Sequence, residues 1–223
     1  MLKEKIWSQP IRIGFLAVTF CAVLLGTIKV VFIPGSTQPV GEFNFPDSVN
    51  LEGWQLESSS AIATVEDSNR IAARDYQYSR NDRSVDIQMH YIVQTEGDIR
   101  GFIKQYLKTQ TLAGTLAVRE RENIGTYQLW ASGDRAYLSA CINPRGETTV
   151  TGDQFRQNRN SHDLTPPRIL LWLIGQQELR DFTCLWTVLS ATTDPDSLEQ
   201  TYSTLENVWF SWYQQWRPLF PSS

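Results

Sequence analysis

Hydrophobic positions along this chain change their period more than once. From Ile13 to Ile33 (IGFLAVTFCAVLLGTIKVVFI) nearly every residue is apolar; the first sixteen carry no charge, and only Lys29 interrupts the remainder. Twenty-one residues at about 1.5 Å each make a helix of roughly 31 Å, close to a bilayer core of about 30 Å. A buried helix of a water-facing domain would seldom stay apolar all round for that length. The pattern therefore predicts a transmembrane anchor over residues 13–33, preceded by a short N-terminus over residues 1–12. Residues 34–46 (PGSTQPVGEFNFP) then hold three prolines and two glycines with no apolar period, which reads as a tether.

Residues 47–223 carry the periods of a folded domain. Val85, Ile87, Met89, Tyr91 and Val93 alternate with Asp86, Gln88, His90 and Gln94, with Ile92 the one apolar residue on the polar parity. That is a strand with one buried face. Ile71–Tyr78 is a second strand candidate, joined to it by the polar Ser79–Arg83. Gly125–Ser132 and Arg135–Ile142 flank Gly133-Asp134 and predict a hairpin. Asp181–Ser190 reads as another strand.

Helical spacing appears three times. Asp98 is placed to cap a helix over Ile99–Thr109, with Phe102, Ile103, Tyr106 and Leu107 on one side. Pro166-Pro167 can open a short helix through Ile174. Asp194 and Pro195 mark the start of the last helix, whose Leu198, Tyr202, Leu205, Trp209, Trp212 and Trp216 recur at steps of three and four until Pro218 stops it. Asn143–Ser161, polar and containing Pro144, Gly146 and Gly152, reads as an exposed excursion. The order β-β-α-β-β-α-β-α predicts an α+β domain with a mainly antiparallel sheet packed by helices, attached to a single N-terminal transmembrane helix.

Charge sets the expected orientation. Lys3, Lys5 and Arg12 precede the apolar run, and residues 34–55 contain no lysine or arginine. The positive-inside rule then predicts a single-pass plasma-membrane protein, N-terminus cytoplasmic and domain periplasmic or extracytoplasmic, in contact with the lipid bilayer. The exit Phe32-Ile33-Pro34-Gly35-Ser36 lacks the small-x-small site of a cleaved signal peptide. A net charge of −4 and the absence of a basic stripe argue against nucleic acid as a partner.

The candidate chemistry is sparse. Cys21 falls within the apolar run, leaving Cys141 and Cys184 as an even pair; a disulfide, two buried free thiols and reactive chemistry are the readings open to them. Only two histidines exist, His90 and His162, and neither has a metal-ligand partner at coordinating spacing. No G-x-S-x-G, phosphate loop or dinucleotide fingerprint is present, so neither catalysis nor a cofactor is expected. Trp209, Trp212 and Trp216 form either a core-facing stripe or a partner surface.

Several short motifs carry a resemblance. They are Phe45-Pro46 with Leu51-x-Gly53-Trp54, Tyr76-x-Tyr78, Met89-His90-Tyr91, Trp130-Ala131-Ser132, Cys141-Ile142-Asn143-Pro144-Arg145-Gly146, Thr151-x-x-Gln154-Phe155 and Cys184-Leu185-Trp186. In these the chain resembles the cyanoexosortase A system-associated proteins of cyanobacteria. The resemblance implies a non-catalytic accessory protein of a protein-sorting and polysaccharide-export system. Its partner would be an exosortase, a sorted substrate or an export component, and the catalytic Cys, Arg and His would belong to the multi-spanning exosortase. An assembly or structural factor for another membrane complex is the alternative.

Overall fold

The computed structural model describes residues 9–32, 43–63, 69–107 and 116–220. Helix α1 spans Gln9–Phe32, and its described side chains, Pro10, Ile11 and Ile13 through Leu24, are all exposed. Among the described residues no helix is long and apolar enough to cross a membrane. The expected anchor over Ile13–Ile33 is therefore corrected, together with the single-pass membrane placement and the extracytoplasmic orientation that rested on it. Most of the expected tether, residues 34–42, lies outside the described residues.

The remainder is an α+β fold built on one seven-stranded sheet. The strands are β1 (Gln55–Ala61), β2 (Arg70–Arg80), β3 (Arg83–Ile92), β4 (Ala117–Arg121), β5 (Gly125–Ser132), β6 (Arg135–Ile142) and β7 (Cys184–Thr192). Their order is β1-β2-β3-β7-β6-β5-β4, and every pair is antiparallel. Two three-strand meanders thus flank the last strand, β7, which fills the centre. That position explains its composition: Cys184 through Ala191 are all buried, with no polar alternation, because both faces of a central strand are covered. The edge strands β1 and β4 carry Ser58, Ser59 and Ser60, and Arg119, Glu120 and Arg121, polar residues that discourage pairing with another chain.

The two sheet faces bury two clusters. On one, Val85, Ile87, Met89 and Tyr91 of β3 join Tyr76, Tyr78, Leu129, Leu138, Leu185 and Leu189 under helix α5 (Leu198–Trp216). Phe43 and Phe45 close the end of this layer, with the Phe45 ring 5.5 Å from that of Trp216. The hydroxyls of Tyr76 and Tyr78 donate to the carbonyls of Pro46 (2.8 Å) and Val49 (2.6 Å), fixing the segment that leads into the domain. On the opposite face Ile92, Trp130, Cys141, Cys184, Trp186 and Val188 pack beneath helix α2 (Ile99–Phe102), the π-helical turn Ile103–Leu107 that continues it, and Phe155. Ile92, out of phase with the other apolar residues of β3, is therefore in register with this second core.

Asn143–Ser161, expected as an exposed excursion, is largely folded. Thr148 and Thr149 bridge back to Gly125 and Cys141, and helix α3 occupies Gly152–His162. Thr151 and Gln154 form a reciprocal capping box that starts the helix. Phe155 and Arg159 are fully buried. Helix α4 follows at Pro166–Leu173.

Gly97 (φ 69°) shows how tightly α3 is seated. A Cβ there would lie 2.4 Å from the Phe155 ring. Gly97→Ala is expected to destabilise the fold by about 2–3 kcal/mol, combining left-handed strain with overpacking. Chemical denaturation measures it, and a loss under about 0.5 kcal/mol, the range of neutral surface changes, would contradict this packing.

Candidate partner-binding site

The expected site residues are placed as follows. Cys141 and Cys184 are joined by a disulfide between neighbouring strands β6 and β7, with Cα atoms 5.7 Å apart, and both are fully buried. Trp209, Trp212 and Trp216 are also fully buried, and Trp212 donates its indole N–H to the Met89 sulfur at 3.2 Å. The tryptophans belong to the α5 core layer and present no surface. His162 lies on the last turn of α3, its Nδ1 3.0 Å from the Asn158 carbonyl oxygen. His90 is buried on the sheet face away from α5, the face on which α3 also packs, far along the chain from His162.

His90 occupies one rung with Trp186 and Cys141 across β3, β7 and β6. Its ring stacks on Trp186 at 4.6 Å and lies 5.8 Å from the Tyr106 ring. Arg70 reaches the same face because the β2–β3 register shifts between Arg70 and Ala72, which turns its side chain from the face strict alternation would give. The Arg70 guanidinium sits 4.8 Å over the Tyr106 ring and 3.4 Å from His90 Nδ1. An arginine can only donate, so Nδ1 accepts and the proton of the neutral imidazole is on Nε2. Burial, then the Arg70 charge, push the His90 pKa down to about 3. The ring is neutral near pH 7, which unfits it for cycling a proton there.

That shift carries a pH prediction. The folded ring has a pKa of about 3 and a free imidazole about 6.5, so the unfolded chain binds a proton that the native protein refuses. The stability contributed by the neutral ring is complete above pH 6.5 and is lost as pH falls from about 6.5 towards 3. Denaturation curves between pH 7.5 and 4 should show wild type losing about 1.4 kcal/mol per pH unit more than His90→Gln in that window. Parallel curves would contradict a neutral buried His90.

Beside this cluster opens a cleft of about 360 Å³, lined by Ile92, Gln94, Glu96, Phe102, Gln105 and Tyr106 together with Asn69 and Thr95. Two backbone features shape it. The π-helical turn, a form often found at functional sites, carries Gln105 and Tyr106, and Gln94 holds a left-handed φ of 49°. Amides, one carboxylate and aromatic rings line the cleft. Among the described residues no group of three or more His, Cys, Asp or Glu could hold a metal ion.

The cleft adjoins a second surface. The backbone N–H of Thr95, in the cleft wall, donates to the carbonyl of Phe182 at 3.0 Å. Phe182 and the α4 region expose an unusual run of large apolar side chains: Leu164 40%, Ile169 38%, Leu170 61%, Trp172 45%, Leu173 67%, Ile174 41% and Phe182 42%. Arg168, the one charged residue of α4, turns inward and donates from Nε to the carbonyls of Glu178 and Leu179, so no charge interrupts the outer face of α4. Contiguous exposed apolar surface of this kind is rare on monomeric proteins. The sequence signalled it only as the apolar Ile169–Ile174 run, which a buried helix would show equally well.

No protein-family model, curated protein or solved structure matches the chain.

Proposed function

We propose that this chain is a non-catalytic binding protein that docks a protein partner on the apolar face of α4, with the cleft beside His90 at the edge of the contact. The observation that carries this reading is the continuous exposure of Leu170, Trp172, Leu173 and Ile174 with no charged side chain among them. Burying such a face in a protein contact gains about 25 cal/mol per Å² of apolar surface. The neutral His90 supports a binding role, because the one buried imidazole of the site is not poised for acid–base work near pH 7.

The resemblance to the cyanoexosortase A system-associated proteins supports the identity of the partner: an exosortase, a protein it sorts, or a component of polysaccharide export. The experiment is chemical crosslinking of the full chain in the cells that produce it, followed by mass spectrometry of the captured proteins. Wild type is expected to yield a sorting or export component. The Leu170→Asp/Leu173→Asp variant should recover at least about tenfold less, corresponding to a loss of about 1.4 kcal/mol of binding. Its denaturation midpoint should stay close to that of wild type, since both side chains are exposed. Recovery only of components of an unrelated membrane complex would replace the sorting assignment with an assembly role. Undiminished capture by the variant would overturn α4 as the docking face.

A further inference from the structure

Of the residues lining the cleft beside α2, Glu96 alone is charged. Its carboxylate is exposed, as are the neighbouring side chains of Asn69, Gln94 and Gln105. Among the described residues the side chains of Gln94, Glu96 and Gln105 make no hydrogen bond or ion pair, so their polar ends are open to a ligand. The Asn69 amide donates to the Gln94 carbonyl at 3.2 Å, which leaves its oxygen as a further acceptor. A carboxylate bordered by amide oxygens accepts hydrogen bonds, and no cation lines the cleft to hold an anion.

The rest of the lining is apolar and fixed. Ile92 and Phe102 belong to the core under α2, and the Tyr106 ring lies 5.9 Å from that of Trp186 and 6.5 Å from that of Phe102. Arg70 sits 4.8 Å over the Tyr106 ring, but it is buried and donates from Nη2 to the Ala63 carbonyl at 2.8 Å. Arg100 and Lys104 are exposed on the adjoining helical segment and do not line the cleft. At about 360 Å³ the cleft falls at the lower end of the range for ligand sites, about 300–1,000 Å³. Because the Thr95 N–H bonds the Phe182 carbonyl, one partner segment can touch both the cleft and the apolar surface.

We infer that the cleft receives an arginine side chain of the partner that docks on α4; the inference rests on that docking reading. The methylene stem lies along Tyr106 and Phe102, while the guanidinium meets Glu96 and the amide oxygens of Gln94, Gln105 and Asn69. A planar, permanently charged fork suits this set of acceptors better than the point charge of a lysine. The partner segment thus carries apolar residues beside a basic one. A segment with an acidic residue at that place is rejected by Glu96.

Titration of the full chain with Nα-acetylarginine amide, followed by two-dimensional amide NMR, tests the site. Nα-acetylcitrulline amide is the uncharged control of nearly the same shape. The arginine compound should give saturable shifts at Gln94, Glu96, Gln105 and Tyr106. Either the citrulline compound or Glu96→Gln should weaken binding by about fivefold. No saturable shift at these residues, or equal binding of the two compounds, overturns the inference. The crosslinking capture separates it from the docking reading. Glu96→Lys should cut recovery of the partner by at least about fivefold, with a denaturation midpoint near that of wild type because Glu96 is exposed. Capture that is lost in Leu170→Asp/Leu173→Asp but unchanged in Glu96→Lys overturns the arginine site and leaves the docking face standing. Capture unchanged in the α4 variant, with the arginine compound still bound at Glu96, overturns the docking face and leaves the arginine site.

Discussion

Trp212→Ala is expected to remove about 3–5 kcal/mol of stability, the range for emptying a fully buried aromatic site. The side chain has 0% exposure and sits at the middle of the α5 layer. Its ring meets those of Tyr76 at 5.2 Å and Tyr78 at 6.1 Å edge-on, and that of Trp216 at 5.7 Å. Each aromatic pair adds about 0.5–1.5 kcal/mol beyond area burial. The indole N–H also loses its contact with the Met89 sulfur. Because α5 and the tyrosines that fix the segment at residues 46–49 share this ring, the loss should appear as one cooperative transition at lower denaturant. Urea denaturation followed by tryptophan fluorescence measures it; a change below about 1 kcal/mol would place Trp212 outside the core.

Removing the Cys141–Cys184 disulfide is expected to cost about 4 kcal/mol, as the double change Cys141→Ala/Cys184→Ala or by reduction. The bridge closes a loop of 43 residues, and the chain-entropy relation assigns about that much to a loop of this length. The loop contains α3, α4 and the charge cluster at Arg145, Asp163 and Asp181, so its ends govern the whole face that carries the candidate contact. At about 2–4 °C per kcal/mol for a domain of this size, the melting temperature should drop by roughly 8–16 °C. Calorimetry of the double alanine variant checks this. An unchanged melting temperature would show that the strands β6 and β7 hold the loop closed without the bridge.

Strong periods were legible in the sequence, and weak ones were not. The alternation through Val85–Tyr91 and the three-and-four spacing from Leu198 to Trp216 each put a whole face into one core, so β3 and α5 read directly from the residues. The hairpin at Gly133-Asp134 was equally plain. Helix α3 was hidden because its sequence, GDQFRQNRNSH, has only one large apolar residue, and the other residues it buries, Asn158 and Arg159, are polar. Its one usable signal was the Thr151-x-x-Gln154 capping box. Strands β1 and β4 escaped because edge strands are built from polar residues that do not alternate against a core.

The candidate site was less legible than the fold. Arg70 and His90 are twenty positions apart, and only the register shift at the start of β2 brings them onto one face. The π-helical turn reads in sequence as an ordinary continuation of the helix from Ile99. The apolar run at Ile169–Ile174 was visible, but whether it faced the core or the solvent depended on Arg168 turning inward, which no local pattern encodes. The opposite error occurred at the N-terminus. There a strong apolar period suggested a membrane span, and among the described residues no helix is long and apolar enough to form one.

Position-resolved photocrosslinking tests α4 as the partner contact most directly. A photoreactive amino acid is placed at Leu173, on the exposed apolar face, or at Ser203, on the exposed side of α5, in the full chain expressed in its own cells. The prediction is a discrete covalent adduct from Leu173, containing a sorting or export component, and none from Ser203. No adduct at Leu173, or the same adduct at both positions, would contradict it.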